Sequence, residues 1–309
     1  MIAAMNESPT PEYLIEGLVH LLTVEPRSTD VFAGRQQKDG FGRVFGGQVL
    51  AQALQAAQAS VTDGKRAHSL HAYFLRGGKE GIPIEYRIER DFDGRSFSNR
   101  RVVAAQADKH GGMQPILNLT ASFQTPETGL EHDDAAMPEV PDPETLRSDM
   151  EMRRAMAERL GDRLSDAQRK LMLRPRPIEM RTLDKLHWMN SEPREPRTHT
   201  WFRAAAPLPG DPDLHRAIIT YASDYTLLGT SALPHGLSWM RGELVGASLD
   251  HAIWFHREAR ADEWLLYATD APWSGSGRGF NRGRIFNRAG ELVASVAQEG
   301  MIRRRKAKP

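Results

Sequence analysis

Gly46-Gly47-Gln48-Val49-Leu50-Ala51-Gln52-Ala53-Leu54-Gln55-Ala56-Ala57-Gln58-Ala59 reads as a helix with almost no surface. A glycine pair opens it, strong helix formers fill it, and its polar residues are all uncharged glutamines. Downstream come segments rich in aromatic and β-branched residues: His68 to Arg76, Ile82 to Arg90, Phe97 to Ala105 and Ile116 to Gln124. Their lengths and the turn residues between them, notably Asp93-Gly94, predict an antiparallel meander. One buried helix followed by paired strands is an α+β pattern, and it spans about Tyr13 to Thr125.

The same order recurs. Asp213 to Leu228 reads as a second helix, followed by strands at Gly246 to His256, Glu263 to Asp270, Gly279 to Asn287 and Glu291 to Ile302, with Arg288-Ala289-Gly290 as a turn. Local sequence repeats loosely as well: His71-Ala72-Tyr73-Phe74-Leu75-Arg76 is echoed by His251-Ala252-Ile253-Trp254-Phe255-His256-Arg257, which predicts an internal duplication. Between the halves, Pro126, Pro138, Pro141 and Pro143 lead into a charged, helical stretch from Glu144 to Leu173, which reads as a connector with its own solvated helix.

The whole chain has 309 residues, and its 41 Lys and Arg against 40 Asp and Glu argue against whole-domain nucleic-acid binding. Cys is absent, so disulfides, thiolate metal sites and cysteine nucleophiles are excluded together. No run approaches the ~18 consecutive apolar residues of a membrane span. Gly40-Phe41-Gly42-Arg43-Val44-Phe45-Gly46 has the wrong spacing for a dinucleotide loop, and Ser274-Gly275-Ser276-Gly277 is not a nucleophile elbow. His68 and His71 lie three apart, His251 and His256 five apart; on strands, odd separations face opposite sides, so each reads as a locally hydrogen-bonded strand residue.

Tyr221-Ala222-Ser223-Asp224, the segment Ala247 to His256 and Val293-Ala294-Ser295-Val296-Ala297-Gln298-Glu299-Gly300 stand together with Phe45-Gly46-Gly47-Gln48 and Ser69 to Arg76. They closely resemble the acyl-CoA thioesterase II family, from about Tyr13 to Arg303. The resemblance implies a double hotdog fold, with two tandem antiparallel sheets each wrapped around a long central helix. The N-terminal hotdog would occupy 13–125, the connector 126–175 and the C-terminal hotdog 176–303. It further implies hydrolysis of acyl-CoA to free acid and CoA without a metal or nucleotide cofactor, and assembly into a homo-oligomer. By motif the catalytic residues are Asp224, Ser248 and Gln298, which would hold the attacking water. Ser248 stands where the family often has Thr, so it keeps the hydroxyl without the methyl that restricts its rotamer.

Read without the family, these residues still make chemical sense. Asp224 closes a largely apolar helical stretch, where desolvation would raise its pKa and improve it as a base. Gln298 is the polar member of a strand face shared with Leu292, Ala294 and Val296. The plainer readings are an exposed carboxylate, a surface hydroxyl and a strand-end amide. Backbone N–H groups after Gly46-Gly47 are the expected oxyanion donors. Arg278 and Arg282, with Arg284 and Arg288 nearby, are candidate CoA phosphate contacts or simply a solvated hairpin. Phe45 to Thr62 contains no Asp or Glu, so one chemical site per chain is expected. The competing functions are a non-catalytic acyl-CoA carrier and a hotdog hydratase or dehydratase. The Lys306-Ala307-Lys308-Pro309 end lacks a Ser-Lys-Leu peroxisomal address, and a cytoplasmic protein is expected.

Overall fold

The computed structural model describes residues 9–37, 42–183, 192–239 and 241–305. Gly40-Phe41 of the glycine cluster and the Lys306 to Pro309 end lie outside them. The first half contains helix α1 (Pro11–Leu22), strands β1 (Val24–Ser28) and β2 (Val31–Gly34), helix α2 (Gly46–Ala59), and strands β3 (Arg66–Phe74), β4 (Ile84–Asp93), β5 (Phe97–Ala107) and β6 (Met113–Gln124). Helices α3 (Asp149–Leu160) and α4 (Asp166–Leu173) follow. The second half contains β7 (Ile178–Thr182), β8 (Arg197–Ala204), α5 (Pro212–Ser223), the short α6 (Leu227–Thr230), β9 (Leu244–Ser248), β10 (Asp250–Phe255), β11 (Leu265–Gly275), β12 (Arg278–Phe286) and β13 (Leu292–Arg304).

α2 occupies the span read from its sequence, and its glutamines explain how it can be so deeply buried. Gln52 donates to Leu21 O at 2.6 Å and Arg35 O at 2.8 Å while accepting from Tyr86 Oη at 2.7 Å. A neutral amide satisfied in this way can lie in a core where a carboxylate would cost far more. The charged connector forms two helices, where one was expected. Gly161 breaks it at a φ of 50°, and Ser148 and Ser165 each start a helix with a capping box.

Among the described residues every strand pairing is antiparallel, and each half wraps its strands around a central helix, as the double hotdog expectation has it. The two sheets also join edge to edge. β3 pairs with β10 through Asp250↔Tyr73 to Trp254↔Ser69, making one continuous sheet of thirteen strands. Inside it α2 and α5 pack antiparallel: Gly47 meets the end of α5 at Tyr221, while Gln58 at the end of α2 donates to Asp213 O at the start of α5 at 3.3 Å. The letter repeat is not a repeat of positions, because His71 lies on the exposed outer face and His251 is fully enclosed on the inner one.

Candidate active site

The site begins with two helix ends pressed together. Asp224 is the C-cap of α5, and the N-terminus of α2 lies against it. Only glycine allows this approach. A Cβ on Gly46 would stand 2.6 Å from Asp224 Oδ2, and one on Gly47 would stand 2.5 Å from Tyr221 O. The N-cap of α2 is Phe45, whose side chain makes no capping bond, and Gly47 N–H at the start of the helix donates to the carboxylate.

Two strands supply the remaining groups. Gln298 on β13 donates Nε2–H to Asp224 Oδ1 at 2.8 Å, and Ser248 at the end of β9 makes a long hydrogen bond to the same oxygen at 3.4 Å. Asp224, Ser248, Gln298, Gly46 and Gly47 are thus brought together from both halves. The Asp224 side chain is only 5% exposed, and its burial pushes the pKa from the ordinary 3.8 up to about 6. Donation from Gln298, Gly47 and Ser248 pulls the other way and limits the rise.

A register shift shapes this cluster. The stretch read as one strand, Gly246 to His256, is two strands parted at Leu249. β13 pairs Gly300 with Ser248 but Ala297 with Ala252, which leaves one extra residue on the β9–β10 side. The extra residue re-aims the side chains, so Ser248 and His251, an odd three apart, both turn toward Asp224. Asp250 Oδ1 accepts from Glu299 N at 2.6 Å and ties down backbone that the irregular pairing would leave open. His251 is the site residue that strand periodicity missed. Its bonds are not the local ones expected of it: its partners are Gln298 on β13 at 3.0 Å and Ser223 Oγ at the end of α5 at 2.9 Å, and its Nδ1 lies 3.9 Å from Asp224 Oδ1.

Asp224 and Ser248 open on a cavity of about 650 Å³, lined among others by Val44, Phe45, Phe74, Ile116, Leu228 and Trp239. Arg278 and Arg282 do not line it. Arg282 makes a two-pronged bond to Asp270 at 2.9 and 3.1 Å, while Arg278 lies 3.5 Å from Glu299 and borders a separate pocket with His235 and Arg304. Among the described residues the cations that line the main cavity are Arg43 and Arg76. Arg76 donates to Pro115 O at 2.9 Å, and among the described residues neither guanidinium is paired with a carboxylate. The signal that could have found them is their position, flanking Val44-Phe45-Gly46 and Gly77-Gly78, which line the same cavity.

At the far end of the helix pair, the place that Asp224 takes on α5 is taken on α2 by its C-cap Ser60. Ser60 Oγ accepts from the fully buried Arg100 at 2.9 Å, and Arg100 also pairs with Asp93 at 2.6 Å. The C-cap of α2 thus carries a hydroxyl in the place of a carboxylate, and the acid nearest to it in the helix pair, Asp213 in the first turn of α5, is paired with Arg216. Among the described residues no cluster of three His, Asp or Glu side chains is arranged to hold a metal ion, and no helix is long and apolar enough to cross a membrane.

Comparison with known proteins agrees with this geometry. Residues 35–124 match the family described as acyl-CoA thioesterase N-terminal domain, and residues 143–302 match acyl-CoA thioesterase C-terminal domain. Human acyl-coenzyme A thioesterase 8 is 37% identical over 289 residues, covering 92% of this chain and 88% of the human protein. Acyl-CoA thioesterase 2 of Haemophilus influenzae is 35% identical over 290 residues, covering 94% and 98%. The crystal structure of acyl-CoA thioesterase II TesB2 from Mycobacterium marinum is 37% identical, with a TM-score of 0.71 over 93% of this chain and 98% of that one. Likeness on this scale runs through both halves and across the helix ends that meet at Asp224, and it makes the chain a member of the acyl-CoA thioesterase II family.

Proposed function

We propose that the protein hydrolyses acyl-CoA thioesters to a free acid and CoA, using a water activated by Asp224. The observation that carries this reading is a buried carboxylate, its pKa pushed up to about 6, opening on a largely apolar cavity. A base with that pKa is ionised at neutral pH and still basic enough to take a proton from water. Ser248 orients the water against Asp224, and Gln298 holds the carboxylate. Attack on the thioester carbonyl carbon creates an oxyanion. Gly47 N–H already serves Asp224, so Gly46 N–H at the positive end of α2 is the donor that faces it. Collapse breaks the C–S bond and expels CoA thiolate. An ordinary thiol titrates near ~8.5, so the leaving group needs no strong acid, and the proton on Asp224 is returned to solvent or to the thiolate.

Leu228, Trp239, Ala247 and Leu249 suit the acyl chain, and Arg43 and Arg76 suit the phosphates of CoA. Replacing Arg43 or Arg76 by Ala is expected to raise KM for acyl-CoA about tenfold, the loss of roughly one charged hydrogen bond. Arg278→Ala is expected to leave KM unchanged, and steady-state kinetics on the three variants checks both. Free-thiol release from a panel of acyl-CoAs tests the reaction itself; no release from any chain length overturns it. A hydratase reading has less support, because His251 is fully enclosed with both ring nitrogens engaged and cannot serve as a second acid/base in the cavity. A homo-oligomer in the cytoplasm completes the proposal, and light scattering at micromolar concentration is expected to give a multiple of the 34.6 kDa chain mass.

A further inference from the structure

The direction of every hydrogen bond behind Gln298 can be worked out. Ser223 Oγ lies 2.9 Å from Thr220 O, a carbonyl that can only accept, so the hydroxyl proton points there. Its lone pair is then left to accept from His251 Nε2–H at 2.9 Å. A neutral imidazole protonated on Nε2 carries a lone pair on Nδ1, and that lone pair accepts from Gln298 Nε2 at 3.0 Å. The second hydrogen of the same amide nitrogen goes to Asp224 Oδ1 at 2.8 Å. His251 is fully enclosed, and burial pushes its pKa down to about 3, so the ring stays neutral at working pH.

An amide side chain can rotate by half a turn and exchange its oxygen and nitrogen at little cost in shape. Rotated in this way, Gln298 would set its oxygen against the Asp224 carboxylate and against the His251 lone pair, two repulsions in place of two bonds. Among the described residues its Oε1 has no partner in the observed orientation, so none of them holds the amide on that side. The discrimination comes from Asp224 and His251 together, and His251 is the partner that keeps it when Asp224 is protonated.

We propose that His251 is a positioning residue, which locks the Gln298 amide so that its nitrogen donates to Asp224 and so holds the carboxylate for the reaction. The inference rests on the thioesterase reading and goes one residue deeper. Neither His251 nor Gln298 lines the cavity, so His251 acts only through Gln298 and Asp224. Among the described residues the ionisable groups that interact with Asp224 are His251 from β10 and Tyr267 from β11, and Tyr225 is next to it in the chain. Both tyrosines have pKa values raised by burial and stay neutral, and no lysine or arginine contributes to the Asp224 shift. Loss of the Gln298 donor therefore raises the Asp224 pKa.

Three substitutions separate positioning from packing. His251→Asn places an acceptor where Nδ1 lies, His251→Gln reaches Ser223 but not Gln298, and His251→Phe keeps the ring and neither bond. The expected result is kcat lowered about 10–100-fold in the Gln and Phe variants, with KM unchanged and substantial recovery in the Asn variant, the usual scale for removing a partner that orients a reacting-site group. The acid limb of the pH profile is expected to move up in the Gln and Phe variants, toward that of Gln298→Ala, and adding His251→Phe to Gln298→Ala is expected to cost little more. A second measurement needs no turnover: the Tm difference between parent and Asp224→Asn, followed against pH, reports the Asp224 pKa directly and is expected to shift upward in the His251→Phe background. Equal kcat and an unmoved pKa in all three folded variants would overturn the proposal. An inactive parent would overturn the thioesterase reading alone, because the Tm titration still decides whether His251 acts on Asp224.

Discussion

Asp224→Asn is expected to lower kcat by about 10²–10⁴-fold with little change in KM, the range for removing a general base that binds no part of the substrate in the ground state. Asn keeps the shape and can accept one of the bonds that Gln298 and Gly47 donate, but it cannot take the proton from water. In the parent, kcat/KM is expected to fall about tenfold per pH unit below the Asp224 pKa of about 6, and that limb should vanish from whatever activity the variant keeps. Steady-state kinetics from pH 4.5 to pH 8 (roughly the range over which the protein must stay folded) measures both. Near-native kcat in a folded variant would remove the catalytic reading and favour the carrier. An acyl group trapped covalently on Asp224 of the parent would preserve the reaction and replace direct water attack with a nucleophilic carboxylate.

The same substitution is expected to stabilise the fold. The Asp224 pKa rises from 3.8 to about 6 on folding, so the folded state favours the protonated, neutral side chain. The stabilisation from that neutral form is complete below pH 4 and is lost as pH rises through 6. Above pH 6 the parent carries a buried, ionised carboxylate at a cost of about 3 kcal/mol, from a shift of about two units. Asn carries no charge, so Asp224→Asn is expected to melt higher at pH 8, with its advantage shrinking below pH 6 and closing near pH 4. Thermal melts of the two proteins across that range test it. A variant that loses Tm at pH 8 would show that the carboxylate is a net structural asset, and the elevated pKa would then be wrong.

The parts of this molecule legible in its sequence are those with strong local periodicity. α2 ends where its Gln and Ala pattern ends, and β5 and β12 differ from their expected spans by a residue or two. β1 escaped because its five residues include Pro26 and Arg27, and β7 and β8 because Arg, Glu and His punctuate them; their pairing is a tertiary effect that outweighs propensity. At the site, Asp224 and Gln298 could be argued from chemistry, since a carboxylate at the end of an apolar helix and an amide on an apolar strand face each need an explanation. His251 could not. Its approach to Asp224 depends on one extra residue between the β9 and β10 pairings with β13, and neither Gly nor Pro marks Leu249. The surroundings of Arg278 and Arg282 were illegible for the converse reason, because local charge density says nothing of the acids that Asp270 and Glu299 bring from neighbouring strands.

The pairing of β3 with β10 fuses into one chain an arrangement that two separate hotdog subunits could also make by meeting edge to edge. Identical subunits would be bound by two-fold symmetry to place the same residue at both helix ends, so any carboxylate buried there would be buried twice, with the destabilisation that follows. A continuous chain is free of that constraint. It can place a fully buried carboxylate at the C-cap of α5 and, at the C-cap of α2, Ser60 held by Arg100, a neutral hydroxyl under a guanidinium that Asp93 balances. Asymmetry between the halves thus lets the molecule confine strain to a single place and use the opposite end of the same helix pair as ballast.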